Sequence, residues 1–472
     1  MASISRRSVL AGGAAGVALG ALPFPVWFAR QAAAAPKVRY DASSGPGKAM
    51  LVSLANGVDA MSKLPESDPR SWVFQWYTHW VRSDTTKQAE MARIFPDPTT
   101  SGYKLAAEMW DMCQSHGAVG DSVYHFLPWH RMYAYFFERI IAKLSGDPNF
   151  TLPYWNYLDT NLRAIPPEFR VPGGPLYRAE RNAGVNAGDP VDKNAPGAIS
   201  PSSLAAQQFV DGTLAGSGFS NSLNNGLHGT IHVLVGNGQN MGAIPWAARD
   251  PVFWMHHCMV DRMWASWNLA GRKNPEDAAW LGKEFVFVDE NGQRVLAKTG
   301  DFSSMPGYVY DTYVPVPATI PRLPVPVLAE ALPAPTPPIT LGARPVAVQV
   351  AKAGASRTLS SVAARPALLV VASLSADQQP GVIYNVYIDL PPNASPAQAR
   401  KHLAGTVNFF GATGHHDVSR KPTGLTLDVT ETVNKLASAG KLRAQPVVTF
   451  APAGAPAAEA KPVVGGVSLV RG

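Results

Sequence analysis

Eight of the eleven histidines lie between His79 and His257, and two of the groups they form carry a definite geometry. In Leu227-His228-Gly229-Thr230-Ile231-His232 the imidazoles are four residues apart. On a helix they leave the same face about one turn from each other and can share one ion. The zinc-protease arrangement with this spacing sets a glutamate directly after the first histidine as general base. Gly229 stands there, which disfavours a zinc hydrolase, although two such histidines also occur together on ordinary helices. In the apolar stretch from Asp250 to Trp264, His256 and His257 are neighbours. Adjacent helical side chains diverge by about 100°, so one of the two, taken as His257, points at a common ion. Asp261, four residues on, is placed either to orient an imidazole through its second nitrogen or to pair locally with Arg262. Neutral imidazoles suit copper, zinc and iron, and the lack of a carboxylate cluster or a cysteine quartet argues against calcium or structural zinc.

The rest of the chain divides around this region. Aromatic and aliphatic residues recur at three- and four-residue intervals from His130 to Ile141, and a second helix runs from Asp250-Pro251 to Trp267. Residues 166–225 are dense in Gly, Pro, Asn and Ser and read as a long irregular loop outside the core. Nine prolines between Val314 and Pro338 mark an extended linker, assigned to 311–340. Beyond it, β-branched and aromatic runs at 346–350, 367–371, 382–388 and 447–450 are bounded by turn residues and predict a small all-β sandwich over 341–472. The expected fold is therefore a mainly α core over 36–310, a four-helix bundle with long loops holding the histidines, followed by that sandwich.

Phe126-Leu127-Pro128-Trp129-His130-Arg131 with Glu138, Leu152-Pro153-Tyr154-Trp155-Asn156, the His228 and His232 pair, and the Asp250-to-Asp261 stretch together resemble the tyrosinase and polyphenol oxidase family of type-3 dicopper proteins. The segments 280–293 and 307–310 are similar to the part that closes the core in plant-type members, and 403–411 is more loosely similar to their C-terminal domain. The resemblance implies two copper ions, the first held by His79, His116 and His130 and the second by His228, His232 and His257. For the second ligand of the first copper, the family's place nine residues before His130 is Asp121, so His116 is preferred and His125 competes. In some relatives a cysteine like Cys113 is joined to that histidine by a thioether; a small buried thiol is the other reading. His256, Gly229, Val233 and Ile244 fall at pocket or supporting positions. Gly229 and Val233 carry no base, so oxidation of catechols by molecular oxygen is expected to exceed hydroxylation of monophenols. Reversible oxygen binding of the haemocyanin type, an o-aminophenol oxidase, and a degenerate copper-free site are the alternatives. In several relatives the C-terminal domain places a side chain over the coppers and is removed on activation. His402, His415 and His416 match no ligand and are expected at the surface.

Residues 1–35 read as a twin-arginine export signal, with Arg6-Arg7, an apolar Ala/Gly-rich stretch and an alanine-rich end. A periplasmic or extracellular enzyme follows, with no membrane association after signal removal. Lys and Arg exceed Asp and Glu by 41 − 34 = 7 without a basic run, which disfavours nucleic-acid binding and leaves a small phenol as the expected partner. Cys113 and Cys258 allow one disulfide at most.

Overall fold

The computed structural model describes residues 35–113, 125–211, 214, 216–305, 307–317, 336–350, 367–413 and 423–471. The expectations for the leader up to residue 34, for His116, for the centre of the proline-rich linker and for His415 and His416 lie outside the described residues.

Helix α1 (Gly45–Lys63) starts where Ser44 accepts a hydrogen bond from the Gly47 amide at 3.0 Å, with Pro46 in the first turn. Its Leu51, Leu54, Val58 and Met61 recur at helical spacing and are buried, and the helix packs against α3 (Phe126–Ser145). The two helices meet closely at Gly57, where a Cβ would lie 2.8 Å from Ile141. Between them in sequence, α2 (Trp72–His79) ends on His79. Helix α3 stops at Gly146, whose φ of 75° suits the residue without a side chain.

Helix α4 (Gly229–Val235) follows a π-helical turn, Leu223–His228, kinked at Gly226. Helix α5 (Val252–Leu269) begins where the Asp250 carboxylate accepts from the Val252 amide at 3.0 Å. Among the described residues no helix is long and apolar enough to cross a membrane. The described residues of 166–225 contain no strand, in keeping with their composition, but they are not outside the core. Phe169, Leu176, Val185, Leu204, Phe209 and Phe219 are all buried, and Phe219 stacks on Trp267 of α5 at 4.7 Å. Their apolar positions have no period, so composition masks their burial.

A balanced set of buried charges joins the ends of the helical unit. Strand β1 (Lys37–Arg39) pairs in parallel with β2 (Tyr308–Tyr310). Arg39 reaches Glu138 at 2.9 Å and Asp261 at 3.2 Å; Arg131 reaches Asp261 at 2.5 Å and lies 3.5 Å over the Trp264 ring. Tyr310 donates to Asp261, and the Leu152 amide donates to Glu138. Both sequence-based roles for Asp261 are therefore corrected: its carboxylate is taken up by Arg39, Arg131 and Tyr310, and it neither orients His257 nor pairs with Arg262. Arg262 instead donates to the Thr312 carbonyl and lies over Tyr154. Glu138 likewise serves this ion network and not the metal pocket. Asp261→Ala is expected to cost about 3–5 kcal/mol, because it leaves the buried Arg131 without a carboxylate and Arg39 with Glu138 alone. The urea unfolding midpoint of the variant checks it, with Asp261→Asn losing less.

Among the described residues the C-terminal unit has two four-stranded sheets, ordered β8-β5-β10-β3 and β4-β9-β6-β7 in the strand numbering that follows. The strands are β3 (Ile339–Thr340), β4 (Val346–Gln349), β5 (Ala367–Ser375), β6 (Tyr384–Ile388), β7 (Leu403–Val407), β8 (Thr423–Asp428), β9 (Val447–Pro452) and β10 (Val463–Arg471). Both sheets contribute to one apolar core, in which Leu369, Val371 and Val467 join Val386, Ile388 and Phe450. In β6 burial alternates, the pattern of a sheet covered on one face. His402 is a correction: it is buried and its Nδ1 bonds the Ile388 carbonyl at 2.8 Å, so it serves this core and not the surface. Cys113 and Cys258 are not joined to each other, so the possible disulfide is not formed. Cys258 donates to the Leu152 carbonyl, and burial pushes its pKa up to about 12.

Candidate metal centre

The π-helical turn, α4 and α5 bring His228, His232, His256 and His257 together, each offering a nitrogen within 4.8 Å of the others. His79 at the end of α2, Cys113 and His130 on α3 form a second group within the same limit. The groups share a wall, since the His130 and His257 rings stack 4.0 Å apart at 6°. Phe253, one helical turn before His257, lies against His257 at 4.3 Å and His79 at 4.9 Å. Phe126 stands in the same relation to His130, at 4.9 Å, and reaches His228 at 4.7 Å. These aromatic walls were not singled out from sequence, although four-residue spacing from each histidine was there to find them.

The protonation of the first group follows from its hydrogen bonds. His228 Nδ1 lies 3.2 Å from the Asn224 carbonyl and His232 Nδ1 2.8 Å from the Met241 carbonyl. A carbonyl only accepts, so each Nδ1 carries the hydrogen and each neutral ring presents a lone pair at Nε2. Those two Nε2 atoms face each other at 3.1 Å. Facing lone pairs repel unless a cation takes them both. A proton is a poor candidate, since burial first, then the neighbouring His228 and His256, holds the His232 pKa well below the usual imidazole value. His257 is buried with neither ring nitrogen hydrogen-bonded, and burial followed by His130 and His228 lowers its pKa too. His130 Nδ1 is 2.9 Å from the Phe126 carbonyl, so it also turns Nε2 away as a lone-pair donor. A metal ion that prefers neutral nitrogen fits this donor set, and copper does so in both of its common oxidation states.

The remaining candidates separate by position. His256 was expected to point away from a shared ion, but it joins the group: its ring stacks on His228 at 5.3 Å and 11°, and Tyr157 bonds its Nδ1 at 3.1 Å. Two adjacent helical residues converge because His228 comes to meet His256 from another helix. His125 lies against Trp280 at 6.2 Å and Phe285 at 5.9 Å and is not in the second group, while Cys113 is. Gly229 and Val233 are buried on α4, and Ile244 opens a short buried helix, Ile244–Ala247.

Phe410 of the C-terminal unit enters the site. Its ring stacks on His232 at 4.0 Å and 13° and meets His228 edge-on at 5.6 Å. No periodicity marks Phe410, because it follows β7 in a turn and its contact partner lies far away in sequence.

The profile described as the common central domain of tyrosinase matches residues 69–208 and 185–270, and a domain of unknown function, DUF7868, matches 334–472. Tyrosinase HcTyr1 of Hahella sp. (strain CCB-MM4) is 32% identical over 299 residues, covering 57% of this chain and 62% of that protein. The latent form of a chloroplastic polyphenol oxidase from Prunus armeniaca is 32% identical over 274 residues, covering 51% of this chain and 42% of that protein. The chain thus spans less than two thirds of the length of either relative. A latent aurone synthase (polyphenol oxidase) has the same fold, with a TM-score of 0.64 over 93% of this chain and 89% of that one at 22% identity. Histidine geometry, central-domain match and curated relatives agree: residues 69–270 of this chain carry the common central domain of the tyrosinase and polyphenol oxidase family.

Proposed function

We propose that this chain is a copper-dependent oxidase that converts catechols to o-quinones with molecular oxygen, produced in a shielded form. The observation that carries this reading is the pair of converging imidazole groups, with lone pairs at His228 and His232 that only a cation can share. The cofactor is a pair of copper ions, which supplies the electron transfer to dioxygen. His228, His232 and His257 would hold one ion; His79 and His130 would hold the other, with His116 as the proposed third donor beside Cys113. The names of relatives, a catechol oxidase of Solanum tuberosum among them, support the reaction class.

The protein's own residues do three things. Backbone carbonyls at Phe126, Asn224 and Met241 fix the tautomers of the ligand rings, so each Nε2 is ready without a proton to lose. Phe126 and Phe253 keep water from the space between the rings. The face of His232 offers a stacking platform for a phenolic ring, and Phe410 occupies that face while the C-terminal unit is docked. Gly229 and Val233 supply no group able to take a phenol's proton, which supports catechols over monophenols as substrates. In this reading, cutting the proline-rich linker near residues 318–335 lets the shield leave, and residues 1–35 direct export by the twin-arginine route.

The test is oxygen uptake by the copper-loaded full chain on a catechol and its monophenol, before and after mild proteolysis in the linker. Catechol turnover that rises on cleavage and exceeds monophenol turnover is expected. A protein that loads two coppers and binds oxygen, yet consumes no catechol even when cut, would be an oxygen carrier instead.

A further inference from the structure

Asn408, two residues before Phe410, is buried against the segment that carries His228. Its Nδ2 donates to the Asn225 carbonyl at 2.8 Å and the Gly226 carbonyl at 3.2 Å, and lies 3.4 Å from the Thr230 hydroxyl. Its Oδ1 accepts from the Phe410 amide at 3.2 Å, so the same carboxamide sets the turn that aims the aromatic ring. Asn225 answers from the other side, donating to the Gly424 carbonyl at 2.9 Å. The kink at Gly226, with φ −93° and ψ −107°, interrupts the regular helix where these two carbonyls are presented. The space for the amide exists because residue 229 has no side chain. A Cβ there would lie 2.4 Å from Asn408 Oδ1 and 3.0 Å from its Cγ.

We infer that Gly229, the Asn225 and Gly226 carbonyls and Thr230 form a carboxamide socket beside the His228 and His232 rings, filled by Asn408 while the shield is docked and open to substrate once it leaves. This rests on the catechol oxidase reading and names the substrate class of that site. The acceptors facing the socket are carbonyl oxygens and a hydroxyl, so it takes a neutral N–H donor and disfavours a carboxylate, which would bring oxygen against oxygen. Phe410 and Asn408 then mark where the two ends of a substrate go: an aromatic ring on His232 and an amide substituent over Gly229. A catechol with a carboxamide side arm meets both.

Residue 229 consequently governs both shielding and selectivity, and a double-substitution cycle reads the contact. In the copper-loaded full chain, Gly229→Ala and Asn408→Ala should each raise basal catechol oxidation about tenfold, through loss of the buried hydrogen bonds. The double variant should gain no more than the larger single, because both remove one contact. In the Asn408→Ala chain, 3,4-dihydroxyphenylacetamide should show a KM lower than that of 3,4-dihydroxyphenylacetate by about fivefold or more. Adding Gly229→Ala should remove that preference. Equal KM values in the Asn408→Ala chain, or an unchanged basal rate in Gly229→Ala with full copper content while linker cleavage does release turnover, would overturn the socket. If neither cleavage nor substitution releases catechol turnover, the oxidase reading is what fails. The socket is then still read as coupling between the two substitutions in the unfolding midpoint, and additive shifts there reject it.

Discussion

His232→Ala is expected to lower bound copper from about two ions per chain to about one and to reduce catechol turnover by about a thousandfold or more. His232 is the strongest choice because its place is fixed from two directions. The Met241 carbonyl holds Nδ1, and helix α4 delivers the ring into a fully buried position facing His228. Truncation leaves that ion His228 and His257 alone of its three proposed donors, too few to retain it tightly. The fold should survive, since the ring adds little to the apolar packing around α5. Copper analysis beside circular dichroism decides the matter. A variant that keeps two coppers and most of its turnover would move the site elsewhere.

Phe410→Ala in the uncut chain should raise catechol oxidation about thirtyfold or more. Burial of the phenyl ring and its stacking on His232 together hold the plug by about 2 kcal/mol or more, and the open population scales with that loss. Linker cleavage should then add little to the variant, because the face of His232 is already free. Steady-state rates on a simple catechol, with and without protease, check it. If cleavage still activates the variant as strongly as the parent, the shield blocks entry by bulk and not by this ring.

What could be read from the sequence was what repeats within a helical turn. The His228 and His232 pair, the α3 helix around His130 and the α5 helix around His257 all announce themselves through three- and four-residue spacing. The first two longer strands of the C-terminal unit were legible through their β-branched runs. Partners distant in the chain were not. Asp261 looked like a neighbour of His257 or Arg262, whereas Arg39 and Arg131, 222 and 130 residues away, claim it. His402 looked superficial because nothing in its surroundings reveals the Ile388 carbonyl. The loop over 166–225 looked peripheral because Gly and Pro dominate it, while its scattered aromatics fill the space beside α5. Asn408 and Gly229 had separate meanings until the fold set one against the other.

The parallel pairing of residues 37–39 with 308–310 means that the helical unit is tied shut upstream of any cut after residue 317. The stretch just beyond stays fastened along α5 and the turn after it, with Thr312 accepting from Arg262, Val314 donating to Ser266 and Pro317 accepting from Arg272. Severing the proline-rich tether would therefore leave a short, anchored stub and not a fraying end. A cut in that tether could therefore shift by several residues without loosening the charges that hold the core.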